Sequence, residues 1–206
     1  AGTFLRAKVV IGDRSYAAGR VGELPALRLS HSLLEAGLQL DRFQSATPPR
    51  IDGATIDPSR MTVQHGDDAE MFFSHWTSPT PRRQVDCYLT HTTAQTHEVV
   101  AKHLHLSPIK SGSVSGKGPR YCPSIDRKLI NFPDKERHPV FVEPEGVTTR
   151  EMYLQGLTTS LPVFVQEKII HATPGLEHAR LVRPGYAVEY DYLPPQQLTL
   201  SLEAKQ

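Results

Sequence analysis

Residues 116–128 read Gly-Lys-Gly-Pro-Arg-Tyr-Cys-Pro-Ser-Ile-Asp-Arg-Lys. Gly116 and Gly118 lack a Cβ, so the backbone can come close to a ligand here. Arg120, Tyr121 and Cys122 follow. Pro123 and Ser124 then open a predicted short helix, Ile125 to Asn131, that stops at Pro133. A loop of this build directs bare N–H groups, a guanidinium and an aromatic edge at one small volume. That volume suits an anionic, ring-containing ligand such as a nucleotide.

Outward from this stretch the chain reads as α/β. Lys8 to Ile11 is a short apolar strand. Leu24 to Ala36 places Leu27, Leu33 and Leu34 at helical spacing and ends at Gly37. Leu38 to Phe43 alternates like a strand. Residues 51–85 are polar and turn-rich, with a short strand expected at Met71 to Ser74. Val85 to Leu89 reads as a strand. Thr93 is the expected N-cap of a helix to about Leu104, with Val99, Val100 and Leu104 inward. Pro139 to Val142 is a strand. Pro162 starts a helix through Ile170 that turns Val165, Ile169 and Ile170 inward. Tyr186 to Tyr192 is a final strand. The simplest division is an α/β domain in two pieces, 1–47 and 126–206, interrupted by a mixed α/β insertion at 48–125.

Composition narrows the class. The 206 residues are 38% hydrophobic and 22% charged, a globular balance. The formal net charge is +1, too small to imply a nucleic-acid partner unless basic residues gather on one face. No apolar run approaches a membrane span. Two cysteines, Cys87 and Cys122, are too few for a secreted disulfide framework and fit reduced thiols in an intracellular protein. The seventeen prolines cut the chain into short elements with shaped turns. No signal peptide is visible, and a start at Ala1 without Met points to processing or trimming.

Gly118-Pro119-Arg120-Tyr121-Cys122-Pro123-Ser124-Ile125 resembles the signature of the tRNA uridine 5-carboxymethylaminomethyl modification enzymes, the MnmG or GidA family, which has mitochondrial relatives. Six further blocks occur in the family's order. They are Gly2-Thr3-Phe4-Leu5, Ala18-Gly19-Arg20-Val21-Gly22, Thr47-Pro48-Pro49-Arg50-Ile51-Asp52, Cys87-Tyr88-Leu89-Thr90-His91-Thr92, Glu143-Pro144-Glu145-Gly146 and Arg183-Pro184-Gly185-Tyr186. The resemblance spans nearly the whole chain. It implies part of a flavin-binding Rossmann-like domain whose dinucleotide fingerprint, Gly-x-Gly-x-x-Gly, lies upstream; this chain has none and looks like an internal portion of a longer protein.

The same resemblance implies FAD and NADH as cofactors, methylenetetrahydrofolate as one-carbon donor, and tRNA as substrate. It also implies an MnmE-type GTPase partner and a homodimer of the full-length protein, in the bacterial cytoplasm or the mitochondrial matrix. Gly118 to Phe132 is then the dinucleotide contact: Gly118, Pro119, Arg120, Tyr121, Cys122, Pro123, Ser124, Ile125, Asp126, Arg127, Lys128 and Phe132. Ser124 caps the helix or bonds a phosphate oxygen, while Arg127 and Lys128 face phosphates or form a solvated helix face.

Cys122 and Arg120 are the candidate catalytic pair. A thiol just ahead of a helix N-terminus and beside an arginine is biased toward thiolate. A thiolate can add to C6 of uracil and make C5 nucleophilic, as C5 alkylation requires. Cys122 either does this, lies within reach of the flavin, or is a small buried hydrophobe in a tight loop.

Several positions depart from the family pattern. Ala46 replaces a glycine; if that glycine sits at positive φ, alanine costs about 1 kcal/mol or reshapes the turn. Ala26 replaces a helix-opening serine that contacts flavin. Asp126 stands where Glu is common and Asn131 where a basic residue is common. These changes motivate a second reading, a diverged non-catalytic homologue that binds RNA or a large assembly. A different flavoprotein reductase sharing only the fold is argued against by the octapeptide.

The remaining motifs carry little chemistry. Ten histidines show no metal-ligand spacing, and His103 and His105 point apart, so they read as surface residues. Asp67, Asp68 and Glu70 form a solvated turn, and Glu143 and Glu145 belong to a structural Glu-Pro-Glu-Gly turn. No Gly-x-Ser-x-Gly marks a serine nucleophile.

Overall fold

The computed structural model describes residues 2–67, 72, 74–77, 84–118 and 124–205. Ten strands and four α-helices alternate through them: β1 (Lys8–Ile11), β2 (Arg14–Ala17), α1 (Leu27–Glu35), β3 (Asp41–Thr47), β4 (Arg50–Asp52), β5 (Thr62–Gln64), β6 (Cys87–His91), α2 (Ala94–His103), α3 (Ile125–Asn131), β7 (Pro139–Pro144), β8 (Glu151–Gln155), α4 (Val163–His171), β9 (Leu181–Arg183) and β10 (Tyr186–Tyr192). The class is α/β, as the sequence indicates. The strands form two antiparallel sheets, one ordered β2-β1-β10-β3 and the other β5-β6-β7-β8-β4-β9.

The larger sheet holds the main core. Alternation places Val140 and Val142 of β7, Met152 and Leu154 of β8 and Ile51 of β4 on one face. Helices α2, α3 and α4 cover that face with Val100, Ile125, Val165, Ile169 and Ile170. Helix α2 begins with a reciprocal capping box: the Thr93 hydroxyl accepts from the Thr96 N–H, and the Thr93 N–H donates back to Thr96.

The smaller sheet buries Val9 and Val188 on one face and Val10 and Ala187 on the other, where Val114 and Ala46 pack. Helix α1 contributes little to any core. Ser30 is its one buried residue, and Leu27, Leu29 and Leu34 are about half exposed.

The chain crosses between the sheets at 48–49, from β3 to β4, and again at 184–185, from β9 to β10. The boundary expected at 125/126 falls at the start of α3, and β7, β8 and β9 beyond it still belong to the larger sheet. Some elements differ from expectation. The helix placed at 24–36 is shorter, because Leu24 and Pro25 lie outside it and Ala26 is its N-cap. The strand placed at 38–43 runs instead over Asp41–Thr47, where β10 offers a partner throughout. Of the strand expected at Met71 to Ser74, Phe72 and Ser74 are irregular, and positions 71 and 73 lie outside the described residues.

Candidate functional site: the seam between the sheets

The signature stretch is fastened at both ends, and each fastening is dictated by sequence. Ala187, Glu189 and Asp191 alternate onto one face of central strand β10. The strand register gives each carboxylate basic or polar neighbours. Lys8 and Gln44 flank Glu189, and Arg42 stands opposite Asp191.

Glu189 is buried and takes five donors. Lys8 Nζ lies at 2.9 Å and Arg42 Nη2 at 3.2 Å. The Ser115 N–H and hydroxyl donate at 2.9 and 2.8 Å, and the Gly116 N–H at 2.9 Å. Burial alone would raise its pKa; these donors reverse that and bring it to about 2. Asp191 accepts from Arg6, Arg42 and Ser30 of α1, which hold its carboxyl below the usual range against the opposing effect of burial.

Lys117 then lies beside β3. Its carbonyl accepts from the Gln44 N–H at 2.9 Å, and its N–H donates to the Arg42 carbonyl at 3.3 Å. So the segment leading into the signature is tied to the smaller sheet.

The exit is tied to the larger one. The Ile125 N–H donates to the Thr158 carbonyl at 2.8 Å. Ser124 is the extended N-cap of α3; it is buried, and its hydroxyl makes no cap bond and has no partner among the described residues. Asp126 is also buried. One oxygen accepts from the Ser107 hydroxyl at 2.8 Å and the other has no partner among the described residues. Lys128 Nζ donates to the Gly156 carbonyl at 3.0 Å. Arg127 is half-buried and Phe132 half-exposed. Gly118 is exposed. The candidate residues Pro119, Arg120, Tyr121, Cys122 and Pro123 lie outside the described residues.

Two more motif blocks meet at the seam. Gly185 packs where three chain segments cross: a Cβ there would lie 2.8 Å from the carbonyls of both Thr159 and Thr47, and 3.1 Å from Pro49. Buried Gln166 of α4 locks this crossing. Its amide donates to the Leu161 and Gly185 carbonyls at 2.7 and 2.9 Å and accepts from the Gly185 N–H at 2.6 Å. Arg50 binds Thr47 Oγ1 and the Pro48 carbonyl, pairs with Glu145 at 2.8 Å and lies over the Tyr153 ring at 4.6 Å. Blocks far apart in sequence therefore converge on one line.

A groove of about 640 Å³ opens at the edge of the seam. It lies between the β1–β2 turn, where the Gly12 N–H donates to the Ser160 carbonyl at 2.7 Å, and the start of α4. Arg14, His105, Ser111 and Ser113 supply polar groups and Phe164 an aromatic wall.

Three sequence readings need correction. Gly116 is required by a close approach, but to β3: a Cβ would lie 2.7 Å from the Phe43 carbonyl carbon. Ala46 does not occupy a positive-φ turn. It pairs with Ala187 inside β3, so the missing glycine brings no strain. The histidines are not all superficial, since His138 is buried, with Nε2 unpartnered among the described residues. Burial, then Lys128, His97 and Lys135, hold its pKa down.

Ala26 does cap α1 without a side-chain bond. Cys87 is a free thiol pushed up in pKa by burial and then by Glu143 and Asp86, which keeps it protonated. No cluster of metal-ligating side chains occurs among the described residues, and none of their helices is long and apolar enough to cross a membrane. Sequence reading missed Glu189, Asp191 and Gln166. The first two left a signal: acids two apart in an apolar strand, with Lys8 opening the strand that pairs with it and Arg6 two residues before.

Two antiparallel sheets joined at a stapled seam, with a glycine-rich signature tied to both, define a class. The family model for glucose inhibited division protein A matches residues 1–206. An Exiguobacterium sibiricum protein described as tRNA uridine 5-carboxymethylaminomethyl modification enzyme MnmG is 50% identical over 99% of this chain and 32% of its own length. A Fusobacterium nucleatum protein described as MnmG 1 of that name is 52% identical over the same shares. The crystal structure of Aquifex aeolicus GidA superposes with a TM-score of 0.90 at 46% identity, covering 99% of this chain and 35% of that one. This chain belongs to the GidA family. It spans about a third of the length of these relatives.

Proposed function

We propose that this chain is part of a FAD- and NADH-dependent enzyme that adds a carboxymethylaminomethyl-type or taurinomethyl-type group to C5 of the wobble uridine in tRNA. The observation that carries the reading is the double fastening of the signature stretch, to Glu189 on one side and to Thr158 on the other. Relatives named for that modification at about half identity supply the substrate.

The residues fit one end of a dinucleotide. Ser124 brings a buried hydroxyl that has no partner among the described residues, which is where a ligand oxygen is expected. The Gly-x-Gly-x-x-Gly turn for the other end is not in these 206 residues. A bound flavin supplies hydride chemistry. The chain's own part is to hold the dinucleotide along Gly118 to Phe132 and to offer Cys122, with Arg120 favouring its thiolate, for addition to uracil C6.

Methylenetetrahydrofolate, an MnmE-type GTPase, a homodimer and a bacterial-cytoplasmic or mitochondrial location belong to the same proposal. So does the division into a flavin domain at 1–47 and 126–206 interrupted by an insertion at 48–125.

The test is a preparation of the full-length protein. A flavin spectrum that bleaches with NADH, wobble-uridine modification, and loss of modification in Cys122→Ser are expected. A colourless protein that FAD cannot reconstitute overturns the reading. One observation favours the scaffold alternative: Ala26 leaves the start of α1 without the hydroxyl that a ligand there would use.

A further inference from the structure

The larger sheet carries a second cationic feature, away from the seam, that the proposed reaction does not use. In the antiparallel order β5-β6-β7, the start of β5, the end of β6 and the start of β7 lie at the same margin. Each brings a basic side chain there. Arg60 stands two residues before β5, His91 ends β6, and Arg137 stands two residues before β7. They line one groove of about 310 Å³ together with Thr62 and Thr93. Among the described residues no carboxylate lines it.

We propose that this groove is a subsite for a backbone phosphate of the tRNA. Arg137 is exposed and has no hydrogen bond or ion pair among the described residues, so its guanidinium is uncommitted. Thr62 likewise offers a hydroxyl without a partner among those residues. Arg60 is paired with Glu177 through one nitrogen and keeps its other donors. Thr93 is the N-cap of α2, so the positive end of a ten-residue helix stands at the rim. Burial and Arg137 both keep the His91 ring neutral at pH 7, so it contributes a ring N–H and not a charge. The volume takes a phosphate and its ribose but is at the low end for a whole dinucleotide. In a chain of net charge +1, such a local gathering is what attracts a polyanion.

This inference rests on the tRNA-modifying reading. The experiment is equilibrium binding of a labelled tRNA transcript to the full-length protein across a salt series. Arg137→Ala should weaken binding about three- to tenfold near 0.1 M salt and lower the slope of log affinity against log salt by roughly 0.7–0.9. Arg137→Lys should retain most of both, because the contact is to charge and not to a base edge. The KM for NADH should not move. Wild-type affinity and slope in Arg137→Ala would overturn the subsite. So would a raised KM for NADH with tRNA binding intact, which would assign the groove to the dinucleotide. A wild-type protein that binds no tRNA at all would overturn both this inference and the reading beneath it.

Discussion

Replacing Glu189 by glutamine tests how the signature stretch is held. The carboxylate has a folded pKa of about 2 against an ordinary 4.5. That difference corresponds to about 3 kcal/mol of stability above the unfolded value. Glutamine keeps one oxygen for the Ser115 and Gly116 donors but turns an amide toward Lys8 and Arg42. The expected loss at pH 7 is therefore about 2–3 kcal/mol.

The sign of the pH dependence follows from the depressed pKa. The stabilisation is complete above pH 4.5 and disappears as pH falls toward 2. By pH 3 about 2 kcal/mol of the wild-type advantage is gone. Urea unfolding at pH 7, 5, 4 and 3 reads the gap between the two proteins, and hydrogen exchange at the Ser115 and Gly116 amides reads the local fastening. A gap that stays constant across this range, or one below about 0.5 kcal/mol at pH 7, would refute the argument that this charge anchors the loop.

Gly116→Ala drives a Cβ into the β3 backbone; we expect a loss of about 1–3 kcal/mol in urea unfolding and weaker NADH binding than wild type. Gln166→Leu removes three buried hydrogen bonds at the seam; a loss of about 3 kcal/mol is expected in thermal unfolding, with faster exchange at the Gly185 amide. Ala46→Gly restores the family's glycine inside a regular strand; it should cost about 0.5–1 kcal/mol, and a gain in stability would contradict the placement of Ala46.

Elements with strong local signals could be read from the sequence. Ser124 and Pro133 bracket α3: the helix breaker acts within a few residues, and Ser124 takes the N-cap position although its hydroxyl makes no cap bond. Val140 and Val142, or Val165, Ile169 and Ile170, declare their buried faces through spacing alone. Strands β4, β5 and β9 were not legible, since each has three residues and exists only because a neighbouring strand pairs with it. Alternation in the Glu-Met-Tyr-Leu-Gln run of β8 was present and overlooked. The site was legible as a motif but not as a place. Gly116 was read as making room for a ligand, although it makes room for Phe43. Gln166 could not be found, because its role depends on Gly185 and Leu161 arriving from elsewhere.

The contact between Lys117 and β3 has a further consequence. β3 is the last strand of its sheet, and its outward-facing amides and carbonyls would otherwise be free. Lys117 takes two of them, at Arg42 and Gln44. Pulling this stretch aside would bare a strand margin able to recruit a strand from another molecule. The same anchoring guards against self-association, and a mutant with a loosened anchor should precipitate before it unfolds.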